Sequence, residues 1–434
     1  MHPHSIAFCM FPQKGHLHWA KWSQRSLLPG GRDDRTTVKK RVQINFGVAS
    51  GFRKHYLIRC GRWFQARKYR MSMKTMATKM IWSVAGLLLL TLGLQFPREV
   101  QKNQDELVPG SQLVKCGIVV KLGMRGAWDD GMVESPSIWF DSTSKKWGMV
   151  YAGYKRIDTT RRGYKTVSNP QVGLAWSDDL IDWKKDTRSP VFGPGGGEGK
   201  PDAAGTTGPH VWFEGGTYYL FYIGLTAKGY ERGEKTLNLA TSTDLIRWKR
   251  YEGNPVIRPE GTGWRKEAIW HPNIVKARGI YYLFFNASGA AHGMNEEFIG
   301  YATSTDLYHW VVDDENSPLI VGSGKVGAWD ASGRAGDPSL YKIGNRWYMS
   351  YYSWDRKNSS DGIAWTTEEE FPLKWRLFEK NPVLTVGGST SFDALHAGKP
   401  FIVQTERRHY HFYTAVDAAE TRQIAVAVSP GPCR

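Results

Sequence analysis

Cysteine is scarce in this 434-residue chain: Cys9, Cys60, Cys116 and Cys433 are all it has. Four thiols over that length exclude a scaffold framed by disulfides. Charge excess is lacking over most of the chain. Residues 105–434 carry 39 Lys+Arg against 38 Asp+Glu, so +16 of the formal charge of +17 belongs to residues 1–104, where the counts are 19 and 3. A folded part so balanced has no reason to seek a polyanion, and no nucleic-acid partner is expected for it. Long apolar runs are missing too, apart from one leucine-rich, charge-free stretch at 80–96. What the chain does have is 41% apolar and 13% aromatic residues, which excludes a disordered polymer and suffices for a sizeable core.

Residues 1–79 are basic, and residues 1–70 show no sustained period of 2 or 3.6. They read as an extension without regular structure, or as sequence upstream of the true start at Met71, Met73, Met76 or Met80. A basic RNA-binding arm is the less favoured alternative. Lys74 and Lys79 precede the apolar stretch 80–96, and Pro97-Arg98-Glu99 ends it. A positive flank before a short apolar core is the pattern of a secretory signal, and 17 residues also reach the lower limit for an uncleaved membrane anchor. Export is therefore expected, with a linker at 97–113 and the functional domain, 114–430, secreted or periplasmic, either free or membrane-anchored. Cys116 and Cys433 sit near the two ends of that domain. Pairing would fasten the ends with about 2–4 kcal/mol; two free thiols is the alternative.

The informative feature is a repeat. Ser177-Asp178-Asp179-Leu180-Ile181-Asp182-Trp183 returns as Ser242-Thr243-Asp244-Leu245-Ile246-Arg247-Trp248 and as Ser304-Thr305-Asp306-Leu307-Tyr308-His309-Trp310, with a worn fourth copy ending at Trp375. The tryptophans are 65, 62 and 65 residues apart. A second marker keeps the same period: Ser189-Pro190, Asn254-Pro255, Ser317-Pro318 and Asn381-Pro382. Between the markers lie runs rich in β-formers, such as Thr217-Tyr218-Tyr219-Leu220-Phe221-Tyr222, separated by Gly turns. Four short strands per unit at this length is the form of a β-propeller blade. Inner-strand prolines at Pro136, Pro209, Pro272, Pro338 and Pro400 imply five blades. The last repeat is one strand short, and a strand within Val114–Val120 is expected to complete it. The expected fold is all-β: a five-bladed β-propeller with about four antiparallel strands per blade.

The inner strands of a propeller converge, so acids near their starts share one funnel. An Asp recurs seven or eight positions before four of the five prolines: Asp129, Asp202, Asp330 and Asp393. Residues that recur with the repeat read first as loop scaffolding, although Asp129, with its neighbour Asp130, stays a catalytic candidate. Glu134, Glu267 and Asp337 break the repeat and read as catalytic or sugar-binding. Cleavage of a glycosidic bond needs one carboxyl group to protonate the leaving oxygen and a second to activate water or attack the sugar. Crowding several in one funnel raises the pKa of at least one, as the acid role demands. Substrate contacts are expected from Asp202, His210, Trp270, His271, Arg334, Asp393 and His396, since Trp faces suit sugar rings and Arg and His bond hydroxyls.

The Ala240–Trp248 and Ala302–Trp310 turns, the Asn-Pro-Val strand starts, Asp337-Pro338 and Glu134-Ser135-Pro136 resemble the five-bladed propeller glycosidase superfamily. That group includes the arabinanase and β-xylosidase family, the invertase and levanase family and the β-mannoside phosphorylases. The resemblance covers about residues 114–430 and implies three funnel carboxylates: Glu134 or its neighbours Asp129 and Asp130 in the first blade, Glu267 as acid, and Asp337 as stabiliser. The Asn-Asp-Pro-Asn motif of the invertases is absent, and the first blade offers Glu where the arabinanase type has Asp-Pro. Some relatives hold a central cation, which His396 would serve; no cofactor is required. The leading expectation is a glycoside hydrolase acting on oligo- or polysaccharides. A phosphorylase with a phosphate pocket of Arg265, Lys266, His271 and Arg334 is the second, and a non-catalytic sugar-binding propeller the third.

Overall fold

The computed structural model describes strands at residues 6–13, 16–23 and 47–48, and then residues 112–433 apart from 159–165, 196, 262, 292 and 294–295. The chain divides into two compact units, Met1–Leu94 and Gln95–Arg434. In the first, β1 (Ile6–Gln13), β2 (His16–Ser23) and β3 (Gly47–Val48) form a small antiparallel sheet in that order. Regular structure is not what the basic composition leads one to expect there. Ile6, Phe8 and Phe11 on one side of Lys14-Gly15 and Trp19 and Trp22 on the other supply the β-forming residues. The stretch at 80–96 and the linker up to residue 111 lie outside the described residues. Among the described residues no helix is long and apolar enough to cross a membrane.

The second unit is built of four-stranded antiparallel groups. The first runs β5 (Met132–Asp141), β6 (Lys146–Arg156), β7 (Val167–Ser177), β8 (Trp183–Lys185). The next is β9 (Gly205–Glu214), β10 (Thr217–Leu225), β11 (Lys235–Ser242), β12 (Lys249–Arg250). A third follows with β13 (Ala268–Ala277), β14 (Ile280–Ser288), β15 (Glu297–Ser304), β16 (Val311–Val312). Then come β17 (Gly336–Ile343), β18 (Arg346–Trp354), β19 (Ser359–Thr367), β20 (Arg376–Leu377). The last group joins β21 (His396–Gln404), β22 (His409–Val416) and β23 (Arg422–Ser429) to β4 (Val114–Val120). A single parallel pairing, Ser359 with His396, links the last two groups into one eight-stranded sheet.

Two local devices set the repeat. Hairpins close on tight turns: Glu214 pairs with Thr217, and Gly215 and Gly216 both take positive φ (58° and 81°), the type I′ geometry that matches strand twist. Third and fourth strands are joined by the Ser-x-Asp-Leu turn. Ser177 Oγ accepts the Asp179 and Leu180 N–H groups, Asp179 Oδ1 those of Ile181 and Asp182, and Trp183 Nε1 donates to the Leu180 carbonyl at 3.1 Å. The copies at Asp244 and Asp306 repeat every bond.

Apolar residues fill the space between neighbouring groups; Phe221, Leu237 and Leu239 of one pack with Ile269, Leu283 and Phe285 of the next. The first strands β5, β9, β13, β17 and β21 touch in that order, and β21 touches β5 again. The second residue after four of the five inner prolines stitches a seam. Val211 N–H donates to Ser137 Oγ, Ile274 N–H to His210 Nε2, Leu340 N–H to Asn273 Oδ1 and Ile402 N–H to Ser339 Oγ, at 2.9–3.2 Å. Strand β4 brings the start of the unit to its end, where Cys116 and Cys433 form a disulfide across 317 residues.

Candidate functional site

The inner prolines place the chemistry. In each first strand the residue before the proline has a left-handed backbone: Ser135 (φ 55°), Gly208 (52°), His271 (36°), Asp337 (52°) and Lys399 (56°). At the same point the pairing with the second strand slips, a β-bulge that re-aims the side chain. A non-glycine residue held there costs about 1–3 kcal/mol, a strain that marks functional sites. Four of the five carry polar groups, and these meet. Ser135 Oγ and Lys399 Nζ each lie 3.1 Å from His271 Nε2, and His271 Nδ1 pairs with Asp337 Oδ1. The fifth is glycine for want of room: a Cβ on Gly208 would stand 2.5 Å from Ile223 Cδ1.

Serine, histidine and aspartate in that order suggest a nucleophilic triad. The surroundings say otherwise. Ser135 is 5% exposed and lies outside the lining of the cavity, and Lys399 also donates to the nitrogen a base would use. The set forms a hydrogen-bonded floor.

Above the floor is a cavity of about 360 Å³, within the range of small-molecule sites. Its lining includes Glu231, Trp270, His271, Glu297, Arg334, Asp337, Tyr352, Trp354, His396, Lys399 and Arg422. A second ring of positions contributes here, the first residues of the third strands: Glu297 of β15, Ser359 of β19 and Arg422 of β23.

The two glutamates on the cavity differ in environment. Trp270 Nε1 donates to Glu231 Oε2 at 3.0 Å, and Lys399 Nζ lies 3.4 Å from Oε1. Burial raises the Glu231 pKa, but Lys399, His271 and Arg422 outweigh it and hold the carboxyl below its ordinary value. Glu297 goes the other way. Burial pushes it up, Asp337 and Glu231 add to the rise, and Arg334 and the Tyr352 hydroxyl compensate only in part. Tyr352 Oη donates to Glu297 Oε2 at 2.6 Å and Asn286 Nδ2 to the same oxygen at 3.1 Å, while Arg334 Nη1 is 3.8 Å from Oε1. Asp337 is raised by burial yet kept low by His271 and Lys399. Glu134, with a fully buried side chain, sits behind the wall; Arg422 Nη1 donates to it at 3.1 Å and Lys399 Nζ stands 3.8 Å away.

Of the residues expected from sequence, Asp337, Trp270, His271, Arg334 and His396 line the cavity, and Glu134 reaches it through Arg422 and Lys399. The remaining ones lie elsewhere. Glu267 precedes β13, is exposed, and meets Ser288 Oγ at 3.4 Å. Asp129, Asp202 and Asp393 each accept a bond from a second-strand tyrosine (Tyr151, Tyr222, Tyr413) and from an outer-strand cation (Lys185, Arg250, Lys115). Asp130 takes the backbone N–H groups of Gly126 and Arg156, which hold its pKa down against burial. His210 is the seam stitch already described, neutral with a pKa lowered by burial to about 3. The phosphate-pocket candidates Arg265 and Lys266 are absent from the cavity; Arg265 pairs with Glu260 and Asp314, and Lys266 is exposed.

Sequence reasoning missed Glu231, Glu297, Lys399 and Arg422. Lys399 precedes Pro400 as Asp337 precedes Pro338, so the marker that found one points equally to the other. The glutamates and Arg422 adjoin the loops between second and third strands, which carry no proline. A cation near the axis does not fit this donor set: His396 Nδ1 accepts the Ser359 N–H at 3.2 Å, and the Lys399 ammonium already stands among the carboxylates. Among the described residues no three His, Cys, Asp or Glu side chains group to hold a metal ion.

No family model matches the chain, and neither does any curated protein. Solved structures do. A BT0996 complex with RGII is 22% identical, covering 78% of this chain and 96% of the matched protein, with a TM-score of 0.59. A thermostable family-43 glycoside hydrolase is 16% identical over 72% and 91%, TM-score 0.51. A member of the GH130 family of mannoside phosphorylases, which contains hydrolases of β-1,2 mannosidic linkages in Candida mannan, is 16% identical over 73% and 93%, TM-score 0.53. At these identities the likeness is one of fold: the unit shares the architecture of β-propeller glycoside hydrolases.

Proposed function

We propose that the second unit is a five-bladed propeller glycoside hydrolase, with Glu297 as general acid and Glu231 as its ionised partner. The cyclic contact of the five first strands supports the blade count. The observation that carries the activity is the pair itself: two carboxyl groups on one cavity whose surroundings drive their pKa values apart. Glu297 Oε2 takes both donors, so its proton rides on Oε1, ready for the glycosidic oxygen. As that bond breaks, Glu231 activates water or attacks the anomeric carbon. Trp270 orients Glu231 through its indole N–H, and Asp337 stays charged beside His271 to stabilise positive charge developing on the sugar ring.

Hydrolysis is favoured over phosphorolysis because the cavity's cations are already paired: Lys399 with Glu134 and Glu231, Arg422 with Glu134, Arg334 with Glu296 and Glu297. The disulfide supports a working place in an oxidising compartment, in keeping with an export signal or anchor at 80–96. The substrate is an oligo- or polysaccharide. The test is incubation with a panel of plant and microbial oligosaccharides, with and without phosphate. Release of free sugar independent of phosphate is expected; sugar phosphate as product, or binding without turnover, overturns the reading.

A further inference from the structure

The densest point of the site is a lysine in a place that disfavours it. Lys399 precedes a proline, which discourages compact backbone conformations, and it takes φ 56°. Its side chain is 14% exposed, and an ammonium so placed is costly unless compensated. Compensation is present from three directions: Glu231 Oε1 at 3.4 Å, Glu134 Oε1 at 3.8 Å and His271 Nε2 at 3.1 Å. Glu134 Oε1 accepts no hydrogen bond among the described residues, so the ammonium meets it as a charge rather than as a donor. The four sister positions hold Ser, Gly, His and Asp, so a cation here belongs to the asymmetric part of the molecule.

We infer that the Lys399 ammonium is the built-in counter-ion of this site, a positioning residue that holds Glu231 in place and charged where a central metal ion would otherwise be needed. The inference rests on Glu231 being the ionised partner proposed above. Beyond Lys399, the groups facing Glu231 are His271 from β13, Asp337 from β17, Arg422 from β23, Glu297 from β15, Tyr154 from β6 and its neighbour Tyr230. Glu134 of β5 reaches it through Lys399, and Lys235 of β11 holds its backbone carbonyl. Arg422 is committed to Glu134 at 3.1 Å, and Asp337 and Glu297 disfavour the Glu231 charge. Removing Lys399 therefore leaves Glu231 without its nearest positive neighbour.

The test is Lys399→Gly in the full chain, since a left-handed position suits glycine and Gly208 occupies a sister position. Carbon-13 NMR of labelled glutamate, with Glu231→Gln as the assignment control, is expected to show the Glu231 carboxyl titrating about 1–3 pH units higher. Turnover is expected to fall about 10²-fold or more, with the acid limb of the pH–rate profile moved up, and n-propylammonium to restore part of it. The wild type is expected to keep its turnover in a chelator. An unmoved Glu231 titration overturns the inference, as does a wild-type activity lost to chelator and restored by a divalent cation. If the wild type cleaves no sugar, the activity reading falls alone and the titration still decides the role of Lys399. Lys399→Met, checked by its unfolding temperature, repeats the titration if the glycine variant does not fold.

Discussion

The loops that lead into the first strands and the ring of residues just before the inner prolines are both rich in charge, yet they are organised on opposite principles. In the loops the pattern repeats: Asp129, Asp202 and Asp393 each bind one tyrosine and one outer-strand cation of their own group. In the ring nothing repeats but the backbone; Ser135, Gly208, His271, Asp337 and Lys399 share a φ and a bulge and differ in every side chain. Repetition is what a scaffold requires of residues that do the same mechanical task in three of its groups. Proton transfer requires the reverse, since acid and base must be different groups in different surroundings. The comparison separates the two kinds of carboxylate and says how each should respond to removal.

The largest effect belongs to the asymmetric side. Glu297→Gln removes the proton that the proposed acid would transfer and keeps the shape, so turnover is expected to fall about 10²–10⁴-fold with the unfolding temperature nearly unchanged. The pH–rate profile gives the sign. On the proposed roles Glu297 acts protonated with its pKa raised, so activity is expected to be lost as pH climbs through that value; Glu231 acts ionised with its pKa lowered, so activity is expected to be lost only as pH falls through it. In Glu297→Gln the alkaline limb that this proton controls is expected to vanish from the residual rate. A full-rate Glu297→Gln enzyme would remove the acid from its role and blur the comparison.

The repeated side is expected to respond in stability. Asp202 is 2% exposed and holds Tyr222 Oη at 3.1 Å and Arg250 Nε at 2.7 Å. Asp202→Ala strands both donors. Breaking a fully buried pair costs about 3–5 kcal/mol; Arg250 is about a third exposed and can turn to water, so about 2–4 kcal/mol is the expected loss in denaturant unfolding. Turnover per folded molecule should stay within about threefold, since the loop touches no part of the cavity. A large drop in turnover with little loss of stability would show that the repeated aspartates belong to the chemistry after all.

Much of this architecture is legible in residues whose physics is local. The Ser-x-Asp-Leu-x-x-Trp turn forms its own hydrogen bonds, so its period marks the third-to-fourth strand connections, and the short last repeat points to Val114–Val120 as the strand that completes it. The inner prolines similarly announce the floor of the site: His271 and Asp337 are found because each precedes one. Glu231 and Glu297 are harder to read. Their roles depend on Trp270, Lys399, Tyr352 and Asn286, which come from other strands and in part from other groups, and no spacing along the chain encodes those meetings. His210 misleads for the same reason in reverse, since a histidine beside an inner proline looks like a ligand until Ser137 and Ile274 are seen to occupy both its nitrogens.

Glu267 is the sharpest test at the small end of the scale. It breaks the repeat, lies five residues before Pro272 and stands close in sequence to Trp270 and His271, which is why its position suggests a general acid. The fold puts it on the other side of the distinction. Its backbone N–H begins the pairing with the Ser288 carbonyl, at 2.9 Å, just before β13 starts at Ala268. The residue is exposed, Ser288 Oγ lies 3.4 Å from its carboxylate, and it is absent from the cavity lining, so it has no cavity to face. Glu267→Gln is therefore expected to leave turnover within about twofold and stability within about 0.5 kcal/mol, as for an ordinary exposed substitution. A loss of about 10²-fold or more, measured on the same oligosaccharide that Glu297→Gln fails to cleave, would mean that the loop before β13 folds over the cavity during the reaction, and the acid role would pass from Glu297 to Glu267.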